Sequence, residues 1–145
     1  MPTLIHYAIP AFIFLILLEA FISAKEQLHL YEIKDTAASL SMGVGNVLVG
    51  LLTKGFFLGL YFMVYEFRLF DLGHAWWVWI LLVFADDFTY YWLHRLSHES
   101  RILWASHVVH HSSQKYNLGT ALRQTWTGSF FSGWFYIWLP LLGFH

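Results

Sequence analysis

Five of the nine histidines fall within one stretch, D-F-T-Y-Y-W-L-H-R-L-S-H-E-S-R-I-L-W-A-S-H-V-V-H-H, residues 87–111. They form H-x3-H (His94, His98) followed by H-x2-H-H (His107, His110, His111). On a helix, residues three or four apart share a face, so His94 pairs with His98, and His107 with His110 and His111. From His98 to His107 the phase slips by about half a turn at about 100° per residue. One straight helix would aim the two sets in opposite directions. The chain must therefore break between them, and Glu99-Ser100 is the expected place, with Ser100 able to cap a second helix. Two helices folding back can then aim both sets at one centre. Five imidazolium groups so close would repel, whereas metal binding keeps them neutral. Imidazole suits Zn, Cu, Fe and Ni, so spacing alone leaves the metal open. His6, His29, His74 and His145 stand singly and are read as packed or interfacial residues.

Positioning such a cluster falls to the segments around it, and their composition is that of a membrane protein. The 145 residues are 58% hydrophobic, 21% aromatic and 12% charged, against about 25% charged in ordinary soluble domains. A net charge of −1 offers no general basic surface for nucleic acid. There is no cysteine, which excludes disulfides, thiolate metal sites and cysteine nucleophiles.

Four apolar segments are expected as spans. Residues 6–23 are the first, with Glu19 turned toward another helix or the boundary. Residues 37–65 read as one long tilted helix containing Lys54. Their Gly43, Gly45, Gly50, Gly55 and Gly59 permit close helix approach. Residues 75–93 form the third and run directly into the first histidine pair. Asp87, Tyr91, His94 and His98 make one stripe on this helix. Asp87 either accepts a hydrogen bond from a ligand imidazole and fixes its tautomer, or pairs with Arg95. Residues 126–144 form the last span, kinked at Pro140, with Arg123 before it as an interface anchor. Residues 112–116 read as a loop, and Asn117 as a helix cap. Arg95, Arg101, Lys115 and Arg123 lie in the histidine connector, Lys25 and Lys34 in the first loop, and only Arg68 in residues 66–74. By the positive-inside rule the first loop and the connector face the cytosol. The expected fold is thus an all-α, multi-pass bundle forming one domain over residues 1–145, in a bacterial inner membrane or the endoplasmic reticulum.

H-R-x-x-H followed by H-x-x-H-H, preceded by D-x-x-Y-Y-W, resembles the fatty acid hydroxylase/sterol desaturase superfamily of integral-membrane di-iron oxygenases. N-L-G-T-A-L-R-Q at residues 117–124 and Y-E-I-K-D-T-A-A-S-L at 31–40 resemble its alkylglycerol monooxygenase-like branch. The likeness covers roughly residues 31–145. It implies His94, His98, His107, His110 and His111 as ligands of a di-iron centre. It also implies O2, an electron donor protein or other reductant, and hydroxylation or desaturation of a membrane lipid of sterol, fatty acyl or alkylglycerol type. Strict membership of the branch would add tetrahydrobiopterin. The family's third histidine box is expected downstream, which makes this an incomplete domain. The competing readings are a membrane haem protein with paired histidines, a non-catalytic metal-binding membrane protein and, without any H-E-x-x-H, a membrane zinc hydrolase.

Overall fold

The computed structural model describes residues 3–144, so His145 lies outside the described residues. Among those residues every regular element is a helix. Helix α1 is Leu4–Lys25, α2 Ile33–Tyr65, α3 Trp76–Glu99, α4 Arg101–His107, α5 Gly128–Phe135 and α6 Trp138–Leu142, with a 3-10 turn at Leu118–Leu122. By length and composition, α1 and α2 could each cross a bilayer. At about 1.5 Å per residue, the 22 residues of α1 match a hydrocarbon core and the 33 of α2 exceed it. Their exposed surfaces are largely apolar, for example at Ile13, Phe14, Leu17 and Phe21 on α1 and Leu48, Leu51 and Leu52 on α2, although Lys54 is also exposed midway along α2. Helix α2 is one unbroken helix that passes through Lys54.

The described residues fall into two compact units. The first comprises residues up to Val44 together with Val109–Gln124. The second comprises Gly45–Val108 and the residues from Thr125 on.

The first unit is held largely by polar groups. Helix α1 ends in a turn where Leu28 N–H bonds the Ser23 carbonyl at 2.9 Å and Gln27 N–H the Ala24 carbonyl at 3.4 Å. Gln27 takes the left-handed conformation (φ 53°) that this termination needs. The Ser23 hydroxyl then accepts Leu30 N–H at 3.0 Å. At the other end of α1, Thr3 Oγ1 lies 2.7 Å from His6 Nδ1, so the lone His6 caps its own helix. Glu19 accepts the Tyr31 hydroxyl at 2.5 Å and Leu118 N–H at 2.7 Å, which ties α1 to the 3-10 turn. Asn117 opens that turn, but its amide is spent on the Leu30 carbonyl, at 2.6 Å, rather than on capping. Arg123 corrects the expected interface anchor. It is 6% exposed and forms an ion pair of 2.6 Å with Asp35 at the start of α2. A carboxylate partner lets a guanidinium stay charged away from water.

Aromatic packing holds the second unit. Phe57 on α2 is buried and meets the Trp134 ring edge-on at 5.4 Å and Phe130 at 6.0 Å. Gly133 makes room for it, since a Cβ there would come within 2.4 Å of the Phe57 ring. The Tyr61 hydroxyl donates to the Gly133 carbonyl at 2.6 Å, and Trp138 Nε1 donates to Thr89 Oγ1 on α3 at 3.1 Å.

The segment expected as a fourth span is instead two short helices, α5 and α6. Pro140 explains the break's position. Its ring would clash with the carbonyl four residues back, at Tyr136, and Tyr136 is the C-cap of α5. Within α6, Pro140 sits in the first turn, where its missing N–H costs no helical bond.

Candidate metal centre

Helix α3 carries His94 and His98 in its final two turns, on one face. The helix stops at Glu99. Ser100 adopts an extended backbone (φ −93°, ψ 128°), and α4 begins at Arg101. The break thus falls where the half-turn phase slip required it. Ser100 serves through its backbone, with its N–H on the Leu96 carbonyl at 2.8 Å and its carbonyl accepting Trp104 N–H at 2.8 Å. Its hydroxyl makes no capping bond, contrary to expectation.

The turn packs α4 against α3 and returns His107 to the first pair. The His107 ring centroid lies 4.8 Å from His94 and 4.8 Å from His98, which are themselves 5.0 Å apart. Ligating nitrogens of these three residues all lie within 4.8 Å of one another. His94 Nε2 and His98 Nε2 are 3.2 Å apart, close to the separation of about 3 Å for two ligands at right angles on one ion with bonds of about 2.1 Å. Three imidazoles so placed fit a first-row transition metal, with zinc, copper, iron and nickel all suited to such donors. Around them stand Tyr90, 5.7 Å from His94, and Trp104, 5.6 Å from His98. Ser106, next to His107, bonds Thr127 Oγ1 at 2.7 Å and Thr125 Oγ1 at 3.0 Å, which anchors α4 to the approach of α5.

Asp87 is exposed, and among the described residues no hydrogen bond joins it to a histidine or to Arg95. Arg95 instead bonds Glu99 at 2.9 Å and the Tyr91 hydroxyl at 2.9 Å. Tyr90 rather than Tyr91 is the tyrosine against the histidines.

His110 and His111 belong to the first unit, in a turn after α4 rather than on it. Their rings are 5.2 Å apart. Both line a cavity of about 410 Å³, together with Glu19, Lys115, Asn117 and Thr120. His110 Nδ1 is 3.2 Å from the Arg123 carbonyl. Beside this cavity, Tyr31 has its hydroxyl pKa pushed up to about 12, by burial first and by the Glu19 carboxylate second. Composition and spacing give no sign of Tyr31, Asp35 or Ser106 as site residues and mark Arg123 only as an interface anchor. The only signals for them were the Y-E-I-K-D-T and A-L-R-Q stretches, which carry Tyr31, Asp35 and Arg123.

Residues 79–145, from α3 onward, match the fatty acid hydroxylase family. Alkylglycerol monooxygenase of Danio rerio is 42% identical over 144 residues, 97% of this chain and 32% of that protein. The human alkylglycerol monooxygenase is 40% identical over 129 residues, 86% of this chain and 28% of that protein. The Xenopus tropicalis protein of the same name is 38% identical over 139 residues, 93% of this chain and 31% of that protein. The chain thus spans about a third of the length of the curated relatives it matches. No solved structure matches it.

Proposed function

We propose that this chain is part of a multi-pass membrane enzyme that uses iron and O2 to oxidise a lipid. The observation that carries the reading is the convergence of His94, His98 and His107 from two helices onto one face. Similarity to alkylglycerol monooxygenases favours an alkylglycerol-type lipid over a sterol or a fatty acyl chain as substrate. The histidine-bearing connector is assigned to the cytosolic face, on the distribution of positive residues. The whole chain is read as one incomplete fatty acid hydroxylase-type domain.

His94, His98 and His107, with His110 and His111 by their spacing, are the proposed ligands of a di-iron centre. Bound iron would supply O2 activation next to a C–H bond of the lipid. The residues have simpler tasks. Each imidazole must present an unprotonated nitrogen. Tyr90 and Trp104 flank the ligand rings with aromatic surface. A reductant, either an electron donor protein or tetrahydrobiopterin, completes the proposal.

The test is iron per chain after purification in detergent, with an optical spectrum and mass spectrometry of lipid products. Wild-type protein should retain iron, and His98→Ala and His111→Ala should lose it while still inserting in membranes, because apolar helices drive insertion. His29→Ala, outside both boxes, should retain it. Full iron content in both box variants would overturn the ligand assignment, and a Soret band would point to haem instead.

A further inference from the structure

Arg123 has a task that its burial alone does not explain. Its guanidinium is held on every side: Nη2 on Asp35 Oδ1 at 2.6 Å and on the Asp35 carbonyl at 2.8 Å, Nε on Ser39 Oγ at 3.1 Å, and Nη1 on Ser112 Oγ at 3.1 Å. Asp35 is fixed in turn by the Ser113 hydroxyl, which donates to Oδ2 at 2.5 Å. This network clamps the two ends of the segment from Ser112 to Arg123 against the first turns of α2.

What the clamp presents is a backbone carbonyl. The Arg123 C=O lies 3.2 Å from His110 Nδ1. A carbonyl oxygen has no hydrogen, so the bond exists only if Nδ1 carries the proton. A neutral His110 so bound has its lone pair on Nε2. Carbonyl-bound Nδ1–H is the arrangement by which proteins fix the tautomer and ring orientation of a metal-binding imidazole.

We infer that Arg123 and Asp35 are positioning residues for His110: their buried ion pair holds the Arg123 carbonyl where it locks His110 in the Nδ1–H tautomer. The inference rests on the reading of His110 as a ligand. It adds to that reading the device that readies the ligand, in residues far from either box in sequence.

The tautomer can be read without metal. Chain labelled with 15N-histidine, in detergent micelles, should show His110 protonated at Nδ1, the resonance being assigned by its loss in His110→Gln. In Arg123→Ala the Nε2–H form should become the majority, and Co(II) affinity in a titration should fall by about 10–100-fold. Should Arg123→Ala lose its helical circular dichroism, Arg123→Lys and Ser112→Ala decide. Lysine keeps the charge but not the fork, and Ser112→Ala removes one bond, so each should shift the tautomer in the same direction by a smaller fraction. A wild-type His110 protonated at Nε2 would overturn the inference. So would folded variants with unchanged tautomer and Co(II) affinity. If His110 is locked at Nδ1 but wild-type chain binds no Co(II), the ligand reading fails while the lock stands. If Co(II) binds and His98→Ala loses it but Arg123→Ala does not, the ligand reading stands and this inference fails.

Discussion

The Tyr31 hydroxyl donates to the Glu19 carboxylate at 2.5 Å across the turn that joins α1 to α2. Among the described residues Glu19 has one other donor, Leu118 N–H at 2.7 Å. Tyr31→Phe leaves a part-buried carboxylate with a single protein partner and should lower stability by about 1 kcal/mol, measured by thermal unfolding in micelles. The same bond sets a pH dependence. The Tyr31 pKa is about 12 when folded, raised from 10.0, so the native state favours the protonated phenol. Its stabilising effect is complete below the unfolded value and lost as pH rises through the folded one. Wild-type should therefore lose its advantage over Tyr31→Phe in that alkaline window, and an advantage independent of pH there would contradict the assignment.

Glycine substitutions along α2 and α5 should divide by what each glycine faces. A Cβ on Gly45 would come within 2.2 Å of the Trp126 ring, and one on Gly133 within 2.4 Å of Phe57. Alanine at either position should cost about 1–3 kcal/mol through overpacking. A Cβ on Gly55 or Gly59 meets nothing within 4 Å, so alanine there should raise stability by up to about 1 kcal/mol through helix propensity. The ranking of the four variants by unfolding temperature is the measurement.

Gln27→Gly should stabilise the first unit. Glutamine pays for a left-handed backbone at φ 53° that glycine adopts freely. The expected gain is about 0.5–1 kcal/mol, offset in part by the greater freedom of glycine in the unfolded chain. Gln27→Val, β-branched at a positive φ, should be destabilising in the same assay.

Asp87→Asn should retain iron at the wild-type level, because the carboxylate is exposed and bonds no histidine among the described residues. A loss of 10-fold or more on the order expected for a ligand's hydrogen-bond partner would show that Asp87 reaches an imidazole once metal is bound. Iron per chain, measured beside His98→Ala, separates the two.

Local phase could be read from the sequence, and distant partnership could not. The break at Ser100 follows from the half-turn slip between His98 and His107, and α3 runs into the first box as its apolar pattern required. Both depend only on neighbours along the chain. Arg123 looked like an interface anchor because its partner, Asp35, lies at the start of α2, and hydropathy holds no record of who meets whom. For the same reason the glycines of α2 read alike, although Gly45 is closely packed and Gly55 is open. Aromatic content made residues 126–144 resemble a span, but the Pro140 ring divides them at Tyr136. The Asp87 stripe was correctly placed on α3, but the helix turns Tyr90 rather than Tyr91 toward His94.

The one-residue break at Ser100 also affects how the three-histidine face is assembled. His94, His98 and His107 are drawn together by a hairpin contiguous in sequence, so closing the loop between them carries a small entropic penalty compared with a site gathered from distant segments. Sites of such low contact order form on the timescale of helix pairing rather than of whole-domain topology. Bringing the three histidines together therefore requires closing only the short stretch of chain between His94 and His107.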